Sequence, residues 1–137
     1  MNSQYSIAVH ILTLLDSSSG AGASAEIAGS VGVNPVVIRS VTGLLRKAGL
    51  LTTQRGVSGA QLTRPAHQIS LLDVYRAVNA PDSVLKVHAH PNLACPVGAG
   101  IQRALEEVYG QAQAALESRL AEVMLSDITR AVHQQAS

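Results

Sequence analysis

Cys95 is the one thiol in this 137-residue sequence, and two imidazoles, His88 and His90, stand a few residues ahead of it. Thiolate and imidazole are ready ligands for zinc and iron, and a thiolate is also easily oxidised. The order His88-x-His90 and then, after four further residues, Cys95 matches no standard structural zinc pattern. A polar loop with two incidental histidines is the plainer reading, and no metal site is expected. Cys95 directly precedes Pro96 and Val97, the start of a helical stretch, so it falls at the expected N-cap. A helix N-terminus stabilises a thiolate and lowers the thiol pKa, which points to a redox or thiol-stress sensor. The competing reading is a small, inert, buried hydrophobe. Nothing in the spacing of Ser, His and Asp residues assembles a catalytic constellation, so no enzyme activity is expected.

A second group of residues suits a different chemistry. Val36, Arg39, Ser40, Gly43 and Lys47 share one side of a helical stretch from Pro35 to Ala48, and Val37, Ile38, Val41, Leu44, Leu45 and Ala48 share the other. A basic face of small residues is fitted to approach nucleic acid. Arginine can bond a guanine edge with two donors, and serine can donate or accept at several bases, so Arg39 and Ser40 lead as base readers. Val36 reads either as a contact for a thymine methyl or as a partly buried first-turn residue. Arg46 and Lys47 suit phosphate contact or plain solubility. Beyond the helix, Arg55, Gly56, Ser58, Gly59 and Gln61 make a turn that could follow the DNA backbone, with Arg55 suited to a phosphate or a narrow minor groove. Ser24, the expected cap of the preceding helix, completes the candidate DNA-binding set.

The elements that must position these groups are legible in the spacing. Tyr5, Ile7, Ala8, Ile11, Leu12 and Leu15 recur every three or four residues, which predicts a helix from Ser3 to Leu15 with one buried face. Asp16-Ser-Ser-Ser-Gly ends it, Ser24 opens a short second helix, and Gly32-Val33-Asn34 makes a tight turn. Asn34 and Pro35 start the third helix, and Gly49 stops it. The stretches 50–55 and 60–63, either side of the Gly56 to Gly59 turn, predict a short β-hairpin. Ser70 or Asp73 begins another helix that ends near Asn79, an irregular loop covers 81–96, and one long helix is expected from Pro96 to about Val132. Helix, helix, turn, helix and two-stranded wing is the chain order of a winged helix-turn-helix. The fold class is therefore mostly α with a small β-hairpin wing. Its expected parts are a winged helix-turn-helix over 1–79, a sensor-type loop over 80–96, and a dimerisation helix and tail over 97–137.

In the long helix, Ile101, Leu105, Val108, Ala112, Leu116, Leu120 and Val123 form a seam at spacings of three and four with one stutter. Packing within the chain is one use for it. The preceding head is too small to cover so long a stripe, so a twofold homodimer is the better one, and it would present two reading helices to a palindromic operator.

Composition agrees with this plan. The chain is 47% apolar with no Trp or Phe, and its aromatics are Tyr5, Tyr75 and Tyr109, so aliphatic helix-on-helix packing must build the core. Net charge is +1, but residues 1–70 carry five bases and two acids while 71–137 carry five bases and seven acids. A basic head on an acidic helical body suits a polyanion-binding module. No apolar stretch reaches the roughly 20 residues of a membrane span, no signal peptide is apparent, and a lone cysteine makes no internal disulfide, so the expected location is the cytoplasm.

The run from Leu44 to Arg64 resembles the Rrf-two (BadM-like) family of winged-helix regulators, which includes bacterial repressors of iron–sulfur, nitric-oxide and cysteine metabolism. Leu45-Arg-Lys-Ala-Gly-Leu50, Arg55-Gly56, Gly59 and Leu62 carry the likeness through helix and wing, followed by Ile69-Ser-Leu-Leu-Asp-Val74 and Arg76-Ala-Val78. Tyr5, His10-Ile-Leu12, Asn34-Pro-Val-Val-Ile-Arg39 and His90-Pro-Asn-Leu-Ala-Cys-Pro-Val97 resemble the YwnA-like branch. The resemblance implies DNA contact at Arg39 and Ser40. Two departures stand out. Ala60 and Gln61 replace a second glycine and an aromatic residue of the wing. Cluster-binding members carry three cysteines before the long helix where this chain has Cys95 alone, so no iron–sulfur cluster or other cofactor is expected. The expected function is sequence-specific DNA binding by a homodimer that represses transcription, with redox response through Cys95. Its alternatives are a dimeric adaptor without DNA binding and a metalloprotein or small enzyme using His88, His90 and Cys95.

Overall fold

The computed structural model describes residues 3–17, 29–53, 59–79, 84–88 and 91–136. Helix α1 (Gln4–Ser17) turns Ala8, Ile11, Leu12 and Leu15 inward, as its spacing predicts. The expected second helix falls mostly outside the described residues; 29–31 are helical and lead to the turn at Gly32. Helix α2 (Pro35–Lys47) is the expected third helix and is locked at both ends. The Asn34 Oδ1 accepts the Val36 N–H at 2.8 Å, with Pro35 in the first turn. At the other end Gly49 sits at φ 80°, its N–H reaching the Arg46 carbonyl while Leu50 N–H reaches Leu45. That pair of bonds is a Schellman cap, and the left-handed backbone it needs is why glycine stands there.

The chain then forms an antiparallel hairpin of β1 (Leu51–Thr53) and β2 (Ala60–Leu62), with Thr52 opposite Gln61. A short 3-10 turn (Ala66–Gln68) leads into α3 (Leu71–Asn79). Both Ser70 and Asp73 start that helix. The Ser70 hydroxyl accepts the Asp73 N–H at 3.0 Å and the Asp73 carboxylate accepts the Ser70 N–H at 2.9 Å, a reciprocal capping box.

The long helix expected from Pro96 to Val132 is in fact two. Helix α4 (Pro96–Glu122) stops at Val123, which is extended, and α5 (Leu125–Ala136) follows. The break has a backbone cause. Val123 accepts the Leu71 N–H at 2.8 Å and Leu125 donates to the Ile69 carbonyl at 2.7 Å, so Met124 bridges Ser70. Asp127 then accepts the Met124 N–H at 2.9 Å and starts α5. The redirected α5 packs on α1 and on the 3-10 turn, and its Leu125 is fully buried.

The core is aliphatic. Ile38, Val41 and Leu45 of α2 meet α1, and Leu50, Leu51, Ala60, Ile69, Val74 and Leu125 close around them. Helix α1 is central, in contact with α2, α3 and α5, while α4 touches the head through α3. Val37 was expected on the buried side of α2 and is 39% exposed. It lies about 100° around the helix from Ile38, beyond the arc that α1 covers.

Candidate nucleic-acid interface

Helix α2 has two distinct sides. Ile38, Val41 and Leu45 are buried, and Val36, Arg39, Ser40, Arg46 and Lys47 are exposed. No acid occurs in the helix, and among the described residues nothing hydrogen-bonds or ion-pairs with the Arg39 guanidinium. Arg39 and Ser40 therefore leave their side-chain donors open to solvent. Val36 is 60% exposed, which removes the reading of it as a partly buried residue, and Val37 joins it on the outward face. Periodicity missed Val37 because it assigns apolar residues inward by type. Gly43 keeps the middle of this face low, since a Cβ added there would meet nothing within 4 Å.

The hairpin stands beside this face. Arg46 donates to the Thr53 hydroxyl at 3.4 Å, a long contact that joins the end of α2 to β1. Thr52 and Gln61 are both exposed on the hairpin, and Gly59 takes φ 107° where the turn re-enters β2. Ser24, Arg55, Gly56 and Ser58, also expected here, lie outside the described residues. Arg64 is occupied elsewhere: it ion-pairs with Asp73 at 3.1 Å and donates to the Gln68 carbonyl. Its charge serves the start of α3.

Cys95 is the N-cap residue of α4 and is exposed, not buried as the alternative reading had it. The N–H groups of Gly98 and then Val97 hold its thiol below the ordinary thiol range, opposed by slight desolvation. Gly98 fits because any side chain there would strike the Asn92 carbonyl, so the 91–94 turn lies hard against the first turn of α4. His88 is exposed and His90 lies outside the described residues.

Burial is uneven along the expected seam of α4. Ile101, Leu105, Leu116 and Leu120 are half-buried, while Ala112 is exposed and Val108 is 57% exposed. Val123 lies in the break after the helix. No residue of α4 is fully buried. Sequence reading missed the group that joins α4 to the head. Gln113 accepts the Val84 N–H and donates to the Tyr75 hydroxyl, each at 3.0 Å, and Arg76 faces Glu117 at 3.6 Å. No local signal marks contacts between residues so far apart in sequence.

The family model for Rrf2, described as an iron-dependent transcriptional regulator, matches residues 1–131. The chain is 45% identical over 128 residues to a Bacillus subtilis strain 168 protein named as an HTH-type transcriptional regulator, YwnA, covering 93% of this chain and 96% of that one. A crystal structure described as a DNA binding protein superposes with a TM-score of 0.76 at 42% identity, over 92% of this chain and 98% of the other. The Staphylococcus aureus CymR structure shares the fold at 22% identity, with a TM-score of 0.69 over 93% of this chain and 96% of that one. The sequence offers one thiolate, and among the described residues no three His, Cys, Asp or Glu side chains stand together to hold a metal. No described helix is long and apolar enough to cross a membrane. Winged-helix architecture, outward basic helix and full-length matches converge: the chain belongs to the Rrf2 family of transcriptional regulators.

Proposed function

We propose that this chain binds duplex DNA as a homodimer, reads sequence with α2 in the major groove, and represses transcription. One observation carries the reading: a helix capped at both ends presents Arg39, Ser40 and Lys47 to solvent with no acid among them. Arg39 and Ser40 read base edges, Lys47 and Arg46 meet phosphates, and Gln61 with Arg55, Gly56, Ser58 and Gly59 follows the adjacent backbone. Val36 contributes an apolar contact for a thymine methyl.

The homodimer rests on α4. A helix of 27 residues with none buried, and with Val108 and Ala112 exposed, gains stability by pairing with a second copy. Such pairing sets two copies of α2 at a fixed separation, which suits a palindromic operator. Repression follows from a dimer occupying an operator and excluding other proteins from it. Exposed Cys95, with its lowered thiol pKa, supports redox tuning of that occupancy through the start of α4. Function on chromosomal DNA places the protein in the cytoplasm.

Selection of bound sequences from random duplexes, with and without oxidant, tests this. The expected result is a palindromic consensus, affinity that falls steeply with salt, and an oxidant response lost in Cys95→Ser. Absence of duplex binding at low salt overturns the DNA reading in favour of a protein adaptor. A consensus with no oxidant response removes Cys95 from the mechanism and leaves the rest.

A further inference from the structure

On the other side of α4, away from Val108 and Ala112, a groove of about 490 Å³ runs between the helix and the extended segment 85–87. That volume is in the range of small-molecule sites. Glu106, Tyr109, Gly110, Gln113 and Glu117 line it from the helix, at the three- and four-residue spacing of a single helix face. Leu85 and Val87 form the opposite wall. Val108 and Ala112 each lie two residues from Gly110, roughly 160° around the helix, so pairing of α4 with a second copy leaves the groove open.

Gly110 creates the space. A glycine inside a helix costs about 1 kcal/mol relative to alanine. No neighbour requires it here, because a Cβ added at Gly110 would meet nothing within 4 Å. Its effect is to keep the floor of the groove empty.

The charges indicate what would fit. Glu117 already accepts Gln113 Nε2 at 3.1 Å and faces Arg76 at 3.6 Å. Glu106 accepts the Gln102 amide at 3.2 Å and, among the described residues, pairs with no base. The lining thus sets two carboxylates, Glu106 and Glu117, against one base, Lys86. A cation is therefore better served than an anion, and the apolar wall with the Tyr109 ring favours an organic body behind it. We infer that this groove binds a small amphipathic amine, its ammonium on Glu106 and its apolar part between Tyr109, Leu85 and Val87.

The protein contains no tryptophan, so indole fluorescence excited beyond the tyrosine absorption band reads binding without protein background. Tryptamine, its neutral isostere tryptophol and its anionic isostere indole-3-propionate are titrated with the free full-length protein, with phenethylamine as competitor. The measurement stands apart from DNA binding. The expected result is saturable tryptamine binding that phenethylamine displaces, about tenfold or more tighter than either isostere. Glu106→Gln should remove that preference. Gly110→Leu, which fills the groove and improves helix propensity, should abolish binding without lowering the melting temperature. No saturable binding of either amine, equal binding of the anion, or tryptamine binding retained in a folded Gly110→Leu protein overturns the assignment.

Discussion

Tyr5 and Tyr75 meet edge to face, with ring centroids 5.6 Å apart and planes at 83°. The pair joins α1 to α3, and each hydroxyl is used: Tyr5 donates to the Leu71 carbonyl at 3.0 Å, and Tyr75 accepts from Gln113. In a core with no Phe or Trp, this is the aromatic contact that sets α3 on α1.

Burial, helped by nearby Tyr75, pushes the Tyr5 phenol up to about 12. The folded state thus holds this proton more tightly than the unfolded chain, whose phenol titrates near 10. By linkage, the stabilisation is intact below pH 10 and is lost as pH rises towards 12. Tyr5→Phe is expected to cost about 1 kcal/mol at neutral pH, from the lost bond to Leu71. It should also flatten the alkaline decline. Urea midpoints across neutral and alkaline pH check both effects.

Asp73 holds two partners at once, the Ser70 N–H and the Arg64 guanidinium. Asp73→Ala should therefore destabilise the fold by about 1 to 2 kcal/mol. Arg64→Ala should cost less, because its ion pair is partly exposed. Thermal melts of the two variants against the parent decide the order, and the reverse order would contradict the capping role.

Arg39 and Lys47 share the outward face of α2 but should fail differently. Arg39→Ala is expected to relax base preference at one position of each half-site and to cost about 1 to 3 kcal/mol on the selected sequence. Lys47→Ala should weaken all sequences alike and lower the salt slope by about one per protomer. Titrations on the selected and a scrambled duplex at several salt concentrations separate the two.

Cys95 should react with iodoacetamide at a lower pH than a thiol in an unstructured peptide, because the Gly98 and Val97 N–H groups favour its thiolate. Gly98→Ala must push back either α4 or the Asn92 carbonyl, and the reaction profile should then move towards that of the free peptide. The rate of alkylation against pH for both proteins measures the shift.

Much of this was written locally. Asn34 and Pro35, the glycine at 49 and the Ser70–Asp73 pair are devices that act within four or five residues, so the sequence alone determined where those elements begin and end. The same holds for Ile38, Val41 and Leu45, whose spacing specifies the buried side of α2 and leaves Arg39 and Ser40 outward. Three things depended on tertiary structure. The helix break at Val123 exists because Ile69 and Leu71 offer backbone partners there, and periodicity at Leu120 and beyond carries no trace of them. The exposure of Val37 and Cys95 was decided by how far other elements cover them. The junction of Gln113 with Tyr75 and Val84 joins residues distant in the chain, and with it the groove beside Gly110. Short-range hydrogen bonding and helical period are properties of neighbouring residues. Coverage, pairing and cavities are properties of how the elements finally pack.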